Sequence, residues 1–309
     1  MSLRCYSSLL LILAIAPISV AQEPEVEVAK QTYPIKLHRP AVKGEAYSYA
    51  AVGRLVEKIS VTVDGETTES KDAAYRCELA SRVEVLEVDE NGLPTELMIK
   101  VYRFQKQGED EALALDLLGR GSEVHAKFTA ERATFSVGGE PVDDEVAEAL
   151  GIVAMKLSSQ FGETEDEVMG TEEPKGEGDT WEIDTNRVAA ALARNGFHIA
   201  PEKLRSEARL TSVSKPEGGE AEFLGIDVMV VGEGISPELP AGYKTKSGTL
   251  TNSISRRFPT DPTLPCAGEE VSFEIIAEAE GKEAESTVNL KVHLKQSLKA
   301  RYNRIAARG

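Results

Sequence analysis

Tryptophan, histidine and cysteine are scarce in this sequence: one, four and three among 309 residues. One of the cysteines, Cys5, lies in the first few residues, which leaves only Cys77 and Cys266 for a folded domain. Two thiols are too few for a zinc or iron–sulfur cage. Positive charge is short as well, since 35 Lys and Arg stand against 52 Asp and Glu for a formal charge of -17. A chain so acidic is repelled by phosphate backbones, which argues against a general nucleic-acid binder. Beyond the N-terminus, no apolar run approaches the ~20 residues of a membrane-spanning helix. What is present is a globular composition, 41% hydrophobic and 28% charged, enough to bury a sizeable core.

The N-terminus carries an address. Arg4 supplies a positive charge, residues 9–18 (LLLILAIAPI) form a short apolar run, and Ser19-Val20-Ala21 places small residues before a cleavage point. This pattern predicts a signal peptide over 1–21 and export to the periplasm or beyond. In an oxidising compartment Cys77 and Cys266 can join in one disulfide closing a long loop. The alternative is two free thiols, and geometry decides between them.

The rest of the chain divides by pattern. Residues 22–42 are polar, punctuated by Pro24, Pro34 and Pro40, and read as a linker. Residues 43–142 form a first β-meander half: Val83, Val85, Leu97, Ile99 and Val101 sit in alternating stretches, and Asp64-Gly65 and Asp89-Glu90-Asn91-Gly92 are turn signals. Residues 143–200 form a helical and acidic insert. Val146, Ala149, Leu150, Val153 and Leu157 recur at helical spacing. The acidic stretch 158–178 reads as a loop, and a second helix spans 183–195 with Asp184 or Thr185 as N-cap. Residues 201–295 are a second meander half, ending in the clean alternation of Val288, Leu290, Val292 and Leu294. The basic tail, 296–309, reads as a solvated helix or frayed end. A faint repeat links the halves, with Lys43-Gly44-Glu45 before Tyr47 and Lys175-Gly176-Glu177 before Trp181. The fold class expected is mainly β (α+β): antiparallel meanders forming a curved sheet, open barrel or sandwich, with a short helical insert.

A search for chemistry returns little. His38, His125, His198 and His293 are scattered and read as solvated or locally hydrogen-bonded. Ser212-Val213-Ser214-Lys215 and Lys246-Ser247-Gly248 imitate motifs of serine β-lactamases, but that serine must open a helix, and Ser212 ends a strand pattern. The carboxylates at 143–145 and 163–173 lack the spacing of a calcium loop. Trp181 reads as a buried anchor opening a strand. No catalytic, metal-binding or cofactor-binding residues are predicted, and no cofactor.

The signal peptide, the K-G-x-x-Y start at Lys43 to Tyr47, Val85-Leu86-Glu87-Val88-Asp89-Glu90-Asn91-Gly92 and Gly178-Asp179-Thr180-Trp181 together resemble uncharacterised exported β-rich proteins of planctomycete-type bacteria. The resemblance implies an address and a β-rich fold, and carries over no site residue. The expectation is therefore an acidic, non-catalytic envelope protein. Its β scaffold would bind a lipid-like ligand or a protein partner, without nucleic acid and without a membrane-spanning segment once the signal is cleaved. A structural or assembly protein of the cell surface and a carboxylate-based hydrolase are the alternatives.

Overall fold

The computed structural model describes residues 30–129, 133–154, 157, 164–215, 221–239, 241–283 and 285–304. The predicted signal peptide lies outside the described residues. In chain order the strands are β1 (Thr32–Tyr33), β2 (Ala46–Val63), β3 (Glu66–Val88), β4 (Pro94–Gly108), β5 (Leu115–Asp116), β6 (Glu123–Phe128), β7 (Ala133–Val137) and β8 (Glu140–Pro141). Helices α1 (Asp144–Val153) and α2 (Glu165–Met169) follow, then β9 (Lys175–Gly176), β10 (Thr180–Glu182) and α3 (Thr185–Arg194). The chain ends with β11 (Phe197–His198), β12 (Leu204–Ser214), β13 (Phe223–Glu233), β14 (Ser236–Pro237), β15 (Lys244–Pro259), β16 (Gly268–Glu283) and β17 (Ser286–Arg304). Among the described residues no helix is long and apolar enough to cross a membrane.

Thirteen strands make one antiparallel sheet in the order β10-β12-β13-β15-β16-β17-β2-β3-β4-β6-β7-β8, with β5 added on β4. Each half of the chain is an up-and-down meander, and the halves are stitched side by side by the β17–β2 pairing from Val288↔Val63 to Arg304↔Tyr47. The sheet stays open, because its edges β8 and β10 do not pair. Those edges are successive sheet strands along the chain, so the helical insert runs from one lip of the sheet to the other.

Local chemistry fixes the pieces. Asp64 and Gly65 adopt positive φ values of 49° and 92°, the turn that matches strand twist in a two-residue hairpin between β2 and β3. Asp89 Oδ1 accepts hydrogen bonds from the backbone N–H of Asn91 (2.9 Å) and Leu93 (2.8 Å), closing the β3–β4 turn. Helix α3 opens on Asp184, whose side chain accepts from Asn186 and Arg187, and ends before Gly196 at φ 77°. Helix α1 opens on Asp143, which accepts from Val146 N–H, and buries Val146, Ala149, Leu150, Ile152 and Val153.

The sheet's curvature follows from what α1 touches. It packs against β17, β2, β3 and β7, and β7 lies five positions from β17, about 24 Å across a flat sheet. A helix of ten residues is only about 15 Å long, so the sheet must wrap around it. Gly53 makes the close approach possible: a Cβ there would lie 2.4 Å from Ile152 Cγ2.

Three stretches differ from the sequence expectation. Residues 296–304 of the supposed basic tail are the second half of β17, well inside the sheet, and 305–309 lie outside the described residues. The strand's basic side chains meet acids of β16 at matched register, Lys295 with Glu274 (3.2 Å) and Lys299 with Glu270 (3.0 Å), while Leu298 and Ala300 face the core. Cross-strand charge pairing is what lets so basic a segment be a strand. The acidic stretch 158–178 is not all loop, since it holds α2, whose first-turn acids cap and pair. The second half of the supposed linker packs on the fold, with Ile35 and Leu37 each 2% exposed.

Candidate functional site

One region of the sheet's concave face is not filled. Between β13, β15, β16 and β17 on one side, and α2, α3 and residues 37–41 on the other, lies a cavity of about 560 Å³, within the usual size of small-molecule sites. The pleat builds its floor: every second residue points in, giving Val228 and Val230 from β13, Ile254 and Phe258 from β15, and Val271 and Phe273 from β16. The roof is Val188 and Leu192 of α3 with Val168 and Met169 of α2. Phe197, just after α3, meets Phe273 edge-on with ring centroids 6.4 Å apart.

The cavity has one strongly polar wall. On β15 the inward phase reads Asn252, Ile254, Arg256, Phe258, so an arginine occupies a core position. The Arg256 side chain is 7% exposed; its Nε donates to Glu269 Oε2 at 3.1 Å and its Nη1 to Glu165 Oε1. Glu269 Oε1 also accepts from the Tyr302 hydroxyl at 2.6 Å, and the Tyr302 ring lies 5.1 Å from that of Tyr49. Burial alone pulls the Arg256 pKa down, but Glu165 and Glu269 outweigh it and hold the guanidinium above its ordinary value. Arg39 lies over the Phe258 ring at 5.2 Å and donates from Nη2 to the Pro259 carbonyl at 2.7 Å. Its Nε and Nη1, and Asn252 Oδ1, are buried without a hydrogen-bond partner.

Helix α2, the short roof element, is locally well specified. Thr164 and Glu167 form a reciprocal capping box, which with the nearby Arg187 keeps the Glu167 carboxyl below the usual carboxylate range. At its other end the Met169 carbonyl accepts from the Trp181 indole N–H at 2.8 Å. Trp181 is 7% exposed on β10, the buried anchor that the sequence suggested.

The other residues singled out in the sequence lie elsewhere. Ser212 sits within β12 and Lys246-Ser247-Gly248 within β15, each in a strand at a register shift and not at a helix start. His125 pairs with Glu96 at 2.9 Å and His293 with Glu274 at 2.8 Å, on the outer side of the sheet, while His38 bonds the Asn91 carbonyl at 2.7 Å and His198 is exposed. Cys77, fully buried on β3, and Cys266, just before β16, are both free. Strands β17 and β2 lie between their strands, a separation of about 14 Å, twice what a disulfide tolerates. Burial pushes the Cys77 thiol up to about 12 and the Cys266 thiol up to about 11. Native protein at pH 8 is therefore expected to be inert to an aromatic disulfide reagent. The unfolded chain lacking residues 1–21 should release two equivalents without prior reduction. Release only after reduction would mean that the bridge forms.

Sequence reading missed Arg256, Glu269, Tyr302 and Arg39. For Arg256 a signal existed: once 249–258 is read as a strand, a charged residue in phase with Ile254 and Phe258 marks a buried, paired site. Arg39 gave none, because the proline-punctuated segment around it reads as polar linker.

No family model matches this sequence, and no curated protein matches it. Several solved structures share a distant likeness. A lipovitellin structure, described as showing lipid–protein interactions, is 11% identical over 87% of this chain with a TM-score of 0.34, and the match spans 26% of the lipovitellin chain. An outer membrane channel from Pseudomonas putida F1 is 9% identical over 87% of this chain and 99% of its own, with a TM-score of 0.20. DynF from the dynemicin biosynthesis pathway of Micromonospora chersina is 9% identical over 95% of this chain and 94% of its own, with a TM-score of 0.17. Likenesses of this size assign the chain neither to a fold family nor to a function.

Proposed function

We propose that this chain is an exported, non-catalytic envelope protein that holds a lipid-like ligand on the concave face of its sheet. The observation that carries the reading is the cavity of about 560 Å³, walled by aliphatic and aromatic side chains. A half-open, mainly apolar pocket of this size suits a small-molecule ligand and favours a binding protein over a purely structural one. The polar wall favours binding too: Glu165 and Glu269 share one guanidinium and serve as its counter-ions rather than as an acid–base pair.

Native mass spectrometry of the protein, purified without detergent from an exporting host and compared with its denatured mass, tests the reading. The expected result is a native excess mass, lost on denaturation, that belongs to an apolar molecule. Where the host supplies none, addition of the neutral fluorophore N-phenyl-1-naphthylamine should give a saturable one-to-one complex. A clean mass together with no fluorophore uptake would overturn it.

A further inference from the structure

We propose that α2 is a gate over one side of the half-open cavity, held down by a charge latch between Glu165 and Arg256; this rests on the ligand-binding reading above. Helix α2 buries none of its residues, although Val168 and Met169 border the cavity. Met169 packs against the core and Glu167 lies 4.0 Å from Arg187 of α3, while the closer ties of the helix are polar. Glu165 pairs with Arg256, Asp166 Oδ1 accepts from the Leu37 backbone N–H at 2.6 Å, and the Met169 carbonyl accepts from Trp181 at 2.8 Å. The last tie is to a buried side chain on an edge strand and suits a pivot. The first two lie at the opposite end of the helix and depend on carboxylates that water can solvate when they let go.

The charge stoichiometry makes release inexpensive. In the closed arrangement one guanidinium serves two carboxylates of unequal standing. Glu269 is 6% exposed and also held by Tyr302, whereas the Glu165 side chain is 31% exposed. When α2 lifts, Arg256 keeps Glu269 as a one-to-one pair and Glu165 moves into water, so no buried charge is left uncompensated. Arg39 works in the opposite sense. It rides on the 37–41 segment, tied to α2 through Leu37, and in the closed state its Nε and Nη1 are buried with no partner. The carboxylates that act on it electrostatically are engaged, Glu165 by Arg256, Asp166 by Leu37 and Asp261 by Thr263. Opening hydrates those two nitrogens and removes their desolvation penalty. A latch that closes and an unsatisfied guanidinium that opens leave the two states close in free energy, as a gate requires.

The test uses Glu165→Gln, which removes the moving charge and keeps the length of the side chain. Release of bound N-phenyl-1-naphthylamine, followed by its fluorescence after a chase with excess 1-dodecanol, should quicken roughly tenfold, the loss of one charge-assisted bond. Amide hydrogen exchange over 165–169 should quicken similarly while β15 and β16 keep their protection. Glu145→Gln, at the exposed pair with Lys106 on α1, should leave release unchanged. Release and exchange within twofold of wild type in Glu165→Gln would overturn the gate. Protection lost across the whole sheet would do the same, by making Glu165 a support of the entire fold. If wild type shows a clean native mass and takes up no fluorophore, yet Glu165→Gln still loosens 165–169, the ligand-binding reading fails and the latch stands.

Discussion

Replacing Arg256 with Met is expected to lower the unfolding free energy by about 3–5 kcal/mol, the cost of breaking a buried ion pair by removing one partner. For a chain of this size the melting temperature should fall by on the order of 10 °C. The reason is the burial of Glu269, 6% exposed, which would keep only the Tyr302 hydroxyl as partner. Two further results separate this cause from lost packing. Arg256→Met combined with Glu269→Gln should recover much of the loss, because replacing both members of a buried pair costs far less than stranding one. Glu165→Gln alone should cost less, about 1.4 kcal/mol, the equivalent of the tenfold faster release, since that partner is the more exposed one. Thermal melts of the three variants measure both results. A deficit unrelieved in the double variant would mean that Arg256 acts by packing alone.

The contrast between these variants bears on how the site was built. Alternation made the strands legible, and turn chemistry at Asp64-Gly65 and Asp89 to Gly92 placed their boundaries, because both signals are local. The cap of α3 was equally local, at Asp184. Register, however, is a relation between strands distant in sequence. Lys295 and Lys299 read as a solvated tail until Glu274 and Glu270 stand opposite them. For the same reason the site stayed hidden: Glu165, Arg256 and Glu269 come from an acidic stretch, a strand and another strand, and only the curved sheet brings them together. The cavity has no sequence signature of its own, for residues such as Val230 and Phe273 look like ordinary core. What distinguishes them is the empty space they face, which depends on how far α2 and α3 stand off the sheet.

That space should behave as a ruler for apolar ligands. Straight-chain alcohols from hexanol upward, competed against N-phenyl-1-naphthylamine, should bind about fourfold more tightly per added methylene, the equivalent of about 0.8 kcal/mol per buried CH₂. The gain should stop at the chain length that fills the cavity. Val230, 4% exposed on β13, points into that space. Val230→Trp places an indole there. Enlarging a core residue usually costs 1–3 kcal/mol because its surroundings are full; here the added atoms enter a void, so the melting temperature should hold or rise. Binding should change in a particular way: short alcohols keep the fourfold increment, but the plateau arrives several methylenes earlier, and affinity for the longest chains falls by tenfold or more. A fall in melting temperature with no change in the plateau would show that position 230 faces packed core. An increment well under fourfold in wild type would show that the alcohols lie on the surface. The predicted signature is thus a shift in length selectivity at constant or higher stability, which a merely damaged fold does not produce.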